Sequence, residues 1–150
     1  MSNNLSLKSP AFKDQAFIPV KYSGEGRAVN PPLIFENVPA NAKSLVLIVD
    51  DPDAPGGNWD HWLVFNISPA VKEIKEGEVP AGARLGRNDF GQLEYGGPNP
   101  PPGKPHRYCF KLYALDAALA LKEGAGKKEI ERAMTGRILG QARLVGLFKR

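Results

Sequence analysis

The pattern of hydrophobic positions along the chain predicts a protein built mainly of short strands. Residues 44–49 (SLVLIV) form a continuous apolar run rich in β-branched side chains, which is typical of a strand buried on both faces. Residues 61–67 (HWLVFNI) and 107–114 (RYCFKLYA) are similar runs, bounded by proline and glycine. Shorter extended pieces are predicted at 17–22, where Pro19 favours a sheet edge, and at 33–35.

Side-chain alternation assigns the two histidines to faces of these strands, because successive side chains of a strand point to opposite sides. In the strand at 61–67, one predicted face holds His61, Leu63, Phe65 and Ile67. In the strand that follows the proline loop, one predicted face holds His106, Tyr108, Phe110 and Leu112.

The last third of the chain has a different period. Residues 127–134 are predicted to be a helix, with Ile130 and Met134 one turn apart and Gly136 at its end. Apolar spacing continues the helical pattern to about Leu144, and residues 145–148 look extended. Short strands separated by turns, with one late helical stretch, favour a single domain over residues 1–150 with a β-sandwich-like core and peripheral helices.

Composition narrows the classes of function. The net charge of +4 is spread thinly, so no clustered basic face indicates a nucleic-acid partner. No apolar run approaches the roughly 20 residues of a membrane span. Cys109 is the one cysteine, which excludes an internal disulfide and a cysteine metal cluster. The N-terminal residues lack the pattern of a secretory signal, and we expect a cytoplasmic protein.

Two loops concentrate the titratable chemistry of the chain. Residues 95–108 (YGGPNPPPGKPHRY) hold five prolines and three glycines, so this loop should be stiff, and it ends at His106. Residues 50–62 (DDPDAPGGNWDHW) hold four aspartates and His61. The chain has only these two histidines. If the two loops converge, both histidines and the aspartates would lie in one pocket.

The residue types in these loops suit an anion. Imidazole and phenol groups donate hydrogen bonds, and an aspartate beside a histidine fixes its tautomer and favours its protonated form. Arg107 points away from Tyr108 along the strand, and we expect it to pair with an aspartate such as Asp53 and tie the two loops together. Trp59 and Trp62 are interpreted as core residues.

Other interpretations of these residues stay open at this point. Each histidine could be a structural residue at a strand end. Two histidines and an aspartate could also hold a divalent metal for hydrolysis, although no HxH or HExxH spacing occurs. A nucleophilic pair of Cys109 and His106 is disfavoured, because residues three apart on a strand leave opposite faces. We therefore expect no catalytic residue, no metal ligand and no cofactor.

Three motifs in order carry a resemblance to a known family. They are DPDAPGGNWDHWLVFNISP, the GRNDFG turn and YGGPNPPPGKPHRYCFKLYALD. Together they resemble the phosphatidylethanolamine-binding proteins, which include the Raf kinase inhibitor proteins. The resemblance covers roughly residues 16–150, and the compact first motif and the ending ARLVGLFKR are most similar to the prokaryotic branch.

The resemblance implies a fold and a site. The family fold is a large antiparallel sheet packed on a smaller one in Greek-key order, with a peripheral C-terminal helix. Members bind phosphate or a phospholipid head group in a shallow pocket. The ligand-binding residues implied for this chain are Asp51, Asp53, His61, Gly97, Pro98, His106 and Tyr108. Arg107, Pro52 and Asp60 are expected to support them.

The resemblance also implies partners. Relatives inhibit kinases or a protease, so we expect a regulator that binds a small anion, a phosphorylated ligand or a protein target, without membrane insertion. Prokaryotic relatives tend to be homodimers. Arg137 stands where such relatives often carry a histidine, which leaves open what the C-terminal segment contributes.

Overall fold

The computed structural model describes residues 4–150 and consists of two antiparallel sheets and one α-helix. The large sheet has the strand order β6-β4-β3-β7-β8, and the small sheet has the order β1-β2-β5. The elements in chain order are β1 (Ser6–Lys8), a 3₁₀ turn (Val20–Tyr22), β2 (Leu33–Glu36), β3 (Ser44–Asp51), β4 (Trp59–Ile67), β5 (Glu73–Ile74), β6 (Arg84–Leu85), β7 (His106–Leu115), α1 (Lys127–Met134) and β8 (Ile138–Phe148). The predicted fold of a large sheet on a smaller one is confirmed.

Strand β3 lies at the centre of the large sheet and is buried along its whole length. Its Leu45 and Leu47 face the core between the two sheets, whereas Val46 and Ile48 face a second core beneath α1. Both faces of β3 are covered, which explains why its sequence is continuously apolar rather than alternating.

Helix α1 has the predicted bounds and buries the predicted residues. Ile130 and Met134 lie in the second core. The Glu129 carboxylate accepts a hydrogen bond from the backbone N–H of Gly126 at 3.0 Å, which satisfies one donor at the start of the helix. Gly136 has a φ of 77° just past the end, as expected for a residue that terminates a helix.

Two predicted elements are wrong. The apolar spacing after Gly136 is not helical, because β8 begins at Ile138 and pairs with β7 along its whole length. Tertiary pairing here overrides a local period. Residues 17–22 do not form a strand either: Phe17 makes an isolated parallel bridge to Leu147, and the chain then turns through the 3₁₀ segment.

Strand β4 contains two extra residues relative to β3, and they change which way side chains point. Val49 pairs with Trp62 and Asp50 pairs with Asp60, so His61 is an extra residue between them. Such a bulge re-aims a side chain. The His61 ring contacts the ring of Tyr108 on the inter-sheet face, whereas Leu63 and Phe65 face α1. The predicted common face of His61 with Leu63 and Phe65 is therefore wrong.

The second irregularity lies near the end of β4. Asn66 has a φ of 54°, and the register shifts between the pairs Leu45–Ile67 and Leu47–Val64. Ile67 consequently lies in the core between the sheets, not on the side of Phe65.

Candidate functional site

The candidate site is a cavity at the edge of the large sheet where β3 ends and β4 and β7 begin. Antiparallel pairing brings the end of β3 beside the beginnings of its two neighbours, so the two histidine loops meet there. The cavity has a volume of about 230 Å³. It is lined by Asp51, Ala54, Pro55, Trp59, His61, Phe90, Asn99, Pro100, Pro101, His106 and Tyr108.

His61 lies in the cavity wall as a neutral ring. Its Nδ1 lies 2.7 Å from the carbonyl oxygen of Gly96, which can only accept, so Nδ1 carries the proton and donates. Burial lowers the pKa of His61, although the bond to Gly96 and the charge of Asp51 oppose this effect. The remaining nitrogen, Nε2, is therefore a hydrogen-bond acceptor in the resting protein.

Asn88 of the GRNDFG turn holds the backbone around His61. Its buried amide donates to the carbonyl oxygen of His61 at 3.0 Å and to that of Glu94 at 2.8 Å. Its Oδ1 accepts from the backbone N–H of Phe90 at 3.0 Å. The backbone N–H of Gly96 also donates to the carbonyl oxygen of His61 at 3.0 Å. This turn was noted in the sequence only as part of a motif, and its side-chain role was missed.

His106 is oriented by Asp51. Nδ1 of His106 donates to Oδ2 of Asp51 at 2.7 Å, and Oδ1 of Asp51 accepts from the backbone N–H of Asp53 at 2.7 Å. Asp51 is buried, so this pair is largely shielded from solvent. The contact fixes the tautomer of His106 and leaves Nε2 on the far side of its ring.

Tyr108 lies between the two histidines. Its ring centroid is 5.2 Å from that of His61, edge-on, and 6.4 Å from that of His106, stacked. Burial raises the pKa of Tyr108, and the neighbouring Asp51 carboxylate raises it further, so the phenol stays protonated.

The predicted pairing of Arg107 with Asp53 is confirmed. The Arg107 guanidinium donates from Nε and Nη2 to the two carboxylate oxygens of Asp53 at 2.9 and 2.8 Å, and the Arg107 backbone N–H donates to the same carboxylate at 2.9 Å. These bonds lower the pKa of Asp53 to about 2. The fork joins the two loops outside the cavity, because neither side chain is among its lining residues.

One wall of the cavity is aromatic, which the sequence pattern did not predict. Phe90 packs edge-on against both Trp59 and His61, with centroid distances of 5.6 and 5.3 Å. Trp59 is 38% exposed, so its interpretation as a core residue is wrong, whereas Trp62 is 1% exposed and is a core residue. The position of Trp59 in the acidic loop, ahead of the strand's apolar run, was the available signal.

Besides Arg107 and Asp53, four further expected site residues lie outside the cavity. A Cβ on Gly97 would lie 2.7 Å from the carbonyl oxygen of Tyr22, so Gly97 serves close packing of the proline loop. The carbonyl oxygen of Pro98 accepts from the N–H of Gly24 at 2.7 Å. Asp60 contacts Lys127 of α1 at 3.2 Å on the opposite side of the sheet. Pro52 is exposed beside the cavity residue Asp51.

Three remaining sequence hypotheses concern metal binding, the Cys109 thiol and Arg137. Within residues 4–150, no group of three or more His, Cys, Asp or Glu side chains is arranged to hold a metal ion. Cys109 is buried, and burial raises the pKa of its thiol. Arg137 pairs with Asp116 at 3.7 Å, at the end of the paired strands β7 and β8 away from His106.

In the part of the chain that the structure describes, no helix has the length and hydrophobicity needed to cross a membrane.

Fold and cavity together define a class: a mainly β protein with a preformed cavity at one edge of its large sheet. A family model described as phosphatidylethanolamine-binding protein matches residues 8–149. The chain belongs to the phosphatidylethanolamine-binding protein family.

Relatives support this assignment over the whole chain. A UPF0098 protein of Methanothermobacter thermautotrophicus is 48% identical and aligns with 97% of this chain and 99% of its own length. A UPF0098 protein of Pyrococcus horikoshii is 52% identical over 97% of this chain and 78% of its own length. A Mycobacterium tuberculosis relative whose name describes it as a lipoprotein is 44% identical over 97% of this chain and 72% of its own length.

Solved structures show the same fold. A phosphatidylethanolamine-binding protein homologue from Chlamydia trachomatis superposes with a TM-score of 0.94, 44% identity, and 99% coverage of both chains. YbcL of E. coli, described as a member of the mammalian family, superposes with a TM-score of 0.91 and 30% identity, covering 97% of this chain and 98% of that chain. The fold of this family is consistent with ligand binding.

Proposed function

We propose that this protein binds a small anion, such as phosphate or a phosphate monoester, in the cavity between its two histidine loops. The observation that carries the proposal is the convergence of His61, His106 and Tyr108 on one cavity, each held in a defined orientation. Convergent polar groups in a preformed concave site are the usual mark of a ligand site.

The protonation states indicate which form of the anion fits. Neutral His61 presents an acceptor at Nε2, so it suits an anion that still carries a proton, as hydrogen phosphate does. When protonated, His106 can donate from Nε2 to the anion while Nδ1 keeps its bond to Asp51. The protonated phenol of Tyr108 is a further donor beside both rings.

A regulatory role is the second part of the proposal. The same donors fit a phospholipid head group, a phosphorylated side chain or a carboxylate, since all present anionic oxygens. The cavity is small and open to solvent, with Trp59 and Phe90 exposed at its wall. We infer that an anionic group on a kinase, a protease or another regulated protein binds here, and we infer no catalytic step.

The test follows both imidazoles by NMR after chelator treatment, with increasing inorganic phosphate. We expect both histidine resonances to shift saturably, because both rings line the cavity. His106→Gln should weaken phosphate binding at least tenfold, about 1.4 kcal/mol.

Arg137→Gln is the matched control. It removes the charge of Arg137, which lies beyond the opposite end of β7, about 30 Å away by strand length. It should leave phosphate affinity unchanged. If neither imidazole responds to phosphate and both broaden with zinc, anion binding is wrong and a metal-assisted hydrolase becomes the better hypothesis.

Cellular location and assembly are also proposals. We infer a cytoplasmic protein, because its one cysteine is buried and unpaired, as is common in reducing compartments. Cell fractionation tests this point against the lipoprotein name of the mycobacterial relative.

We infer a homodimer from the family resemblance, with the exposed side chains of Phe17 and Val20 as the candidate contact. Sedimentation of the wild type and of Val20→Asp measures it.

A further inference from the structure

Asn88 joins three segments of the chain around His61 by buried hydrogen bonds. Its Nδ2 donates to the carbonyl oxygens of His61 and Glu94. Its Oδ1 accepts from the backbone N–H groups of Phe90 and Gln92, both at 3.0 Å. Asn88 is 5% exposed, and both donors of its amide are engaged. A residue without these donors would leave the carbonyl oxygens of His61 and Glu94 facing each other.

The effect of Asn88 on the His61 ring passes through Gly96. Because Asn88 holds Glu94 beside His61, residue 96 also lies against β4, and there His61 and Gly96 exchange two hydrogen bonds. The backbone N–H of Gly96 donates to the carbonyl oxygen of His61 at 3.0 Å, and the carbonyl oxygen of Gly96 accepts from His61 Nδ1 at 2.7 Å. A Cβ at residue 96 would lie 2.4 Å from the ring of Phe90, so this close approach requires glycine.

The neighbours of His61 fix its ring in this orientation. The ring packs edge-on between Phe90 and Tyr108, with centroid distances of 5.3 and 5.2 Å. Nε2 makes no hydrogen bond within residues 4–150, and it is accessible from the cavity, unlike the enclosed Nε1 of Trp62. Burial lowers the pKa of His61, which favours the neutral ring. The cavity therefore presents a nitrogen that accepts a hydrogen bond and has no proton to donate.

An acceptor in an anion site discriminates among anions by the protons that they carry. Hydrogen phosphate and sulfate are tetrahedral dianions of similar size, but phosphate retains a proton in neutral solution and sulfate does not. A P–OH group can donate to Nε2 of His61, whereas each sulfate oxygen would place a lone pair against the lone pair of this nitrogen. Such an unfavourable contact with the wrong ligand is a common source of specificity. Tyr108 and the Asp51–His106 pair meet both anions alike.

We propose that the tautomer of His61, which Asn88 holds through Gly96, makes the cavity select, between oxyanions of equal shape and charge, the one that carries a proton. Asn88 is then a positioning residue, because it acts on the ligand only through the His61 ring. This inference rests on the proposed anion site and adds a rule of selectivity together with the residue that sets it.

The wild-type protein provides two readouts, one of which needs no ligand. Long-range ¹H–¹⁵N NMR spectra at about pH 8, where an ordinary imidazole is neutral, should place the His61 proton on Nδ1 and leave Nε2 unprotonated. Calorimetry at the same pH compares inorganic phosphate with sulfate. We expect phosphate to bind about tenfold more tightly than sulfate, the effect of one hydrogen bond that is made to one anion and opposed by the other.

Asn88→Asp tests the positioning role, and Asn66→Asp is its matched control. Asn88→Asp replaces the amide donors by a carboxylate oxygen that repels the carbonyl oxygens of His61 and Glu94, so both tautomers of His61 should appear and most of the preference for phosphate should be lost. Asn66 makes bonds of the same kind near the other end of β4, donating to the carbonyl oxygen of Leu119 at 2.9 Å and accepting from its N–H at 2.8 Å. Asn66→Asp should leave the tautomer and the preference unchanged.

His61→Asn keeps the test decisive if Asn88→Asp fails to fold. An asparagine amide nitrogen stands where Nδ1 stands and can still donate to the carbonyl oxygen of Gly96, but the acceptor at Nε2 is lost. This variant should bind sulfate about as well as the wild type does, and its phosphate affinity should fall to that of sulfate.

The failures are distinguishable. If phosphate and sulfate bind equally and both shift the imidazole resonances, the selectivity is overturned and the anion site stands. A wild-type His61 proton on Nε2, or a phosphate preference that persists in His61→Asn, also overturns it. A preference that persists in folded Asn88→Asp overturns the positioning role of Asn88. If neither anion binds and neither imidazole responds, the anion site itself is wrong.

Discussion

Asp50 and Asp51 are consecutive carboxylates at the end of β3, and they contact opposite sides of the sheet. Both are buried. Oδ2 of Asp50 accepts from Lys111 at 3.1 Å and from Lys127 of α1 at 2.7 Å. Asp51 instead accepts from His106 in the cavity. Alternation along one strand thus places at adjacent positions a carboxylate that contacts α1 and a carboxylate that lines the cavity.

The difference between them lies in their partners. Burial lowers the pKa of Lys127, but its bonds and charge interactions with Asp50 and Asp60 outweigh burial and raise it. The Lys127 ammonium is therefore charged at neutral pH, and its ion pair with Asp50 holds α1 against the sheet. Asp51 is paired with the His106 imidazole, which lines the cavity. Asp50 therefore holds α1 on the sheet, whereas Asp51 orients a side chain of the cavity.

The largest expected effect is on the α1 side. Asp50→Asn should lower the free energy of unfolding by about 3 kcal/mol, because it leaves the largely buried ammonium of Lys127 with Asp60 as its remaining carboxylate. Urea unfolding measures it. Lys111, which also pairs with Asp50, is more exposed than Lys127, so Lys111→Gln should lower the free energy of unfolding clearly less. A loss below about 1 kcal/mol for Asp50→Asn, the value of an exposed ion pair, would contradict a structural role.

The second expected effect is that of Asp51→Asn, which should change stability less than Asp50→Asn does and should also weaken phosphate binding. Asp51→Asn should cost about 1.5 kcal/mol of unfolding free energy for one charged hydrogen bond. It should weaken phosphate binding roughly tenfold, because it removes the carboxylate that holds the His106 ring in its orientation in the cavity. Calorimetry near pH 6 measures the binding. If Asp51→Asn destabilises the protein as much as Asp50→Asn and leaves the phosphate affinity unchanged, the proposed difference between the two aspartates is wrong.

The smallest effect concerns Arg107, on the outer side of the cavity loops. The folded-state pKa of Asp53 is depressed to about 2 from 3.8, so this pair contributes stability above pH 3.8 that is lost as the pH falls toward 2. Arg107→Met should flatten the pH dependence of stability in that window, with only a small loss at neutral pH since the pair is largely exposed. Thermal unfolding from pH 2 to pH 5 tests it, and an unchanged acid profile would exclude the pairing in solution.

The sequence predicted best those features that depend on local chemistry. The helix at Lys127–Met134 and the Arg107–Asp53 pair follow from spacing, charge and side-chain alternation. The direction of His61 could not be predicted, because the extra residue in β4 exists only in the register with β3. The same holds for β8 at Ile138, whose strand character comes from pairing with β7. Asn88 and Phe90 became site residues only when their turn folded against His61.

The proline loop is fastened to the segment after Pro19, and this has a consequence for the timing of binding. The Tyr95 hydroxyl donates to the carbonyl oxygen of Tyr22 at 2.8 Å, and Gly24 donates to Pro98. Order in this loop is therefore established when the protein folds, before any ligand arrives. Association should be a single fast step without a slow rearrangement, and the amides of Gly24 and Gly96 should exchange slowly with solvent although they belong to no strand or helix.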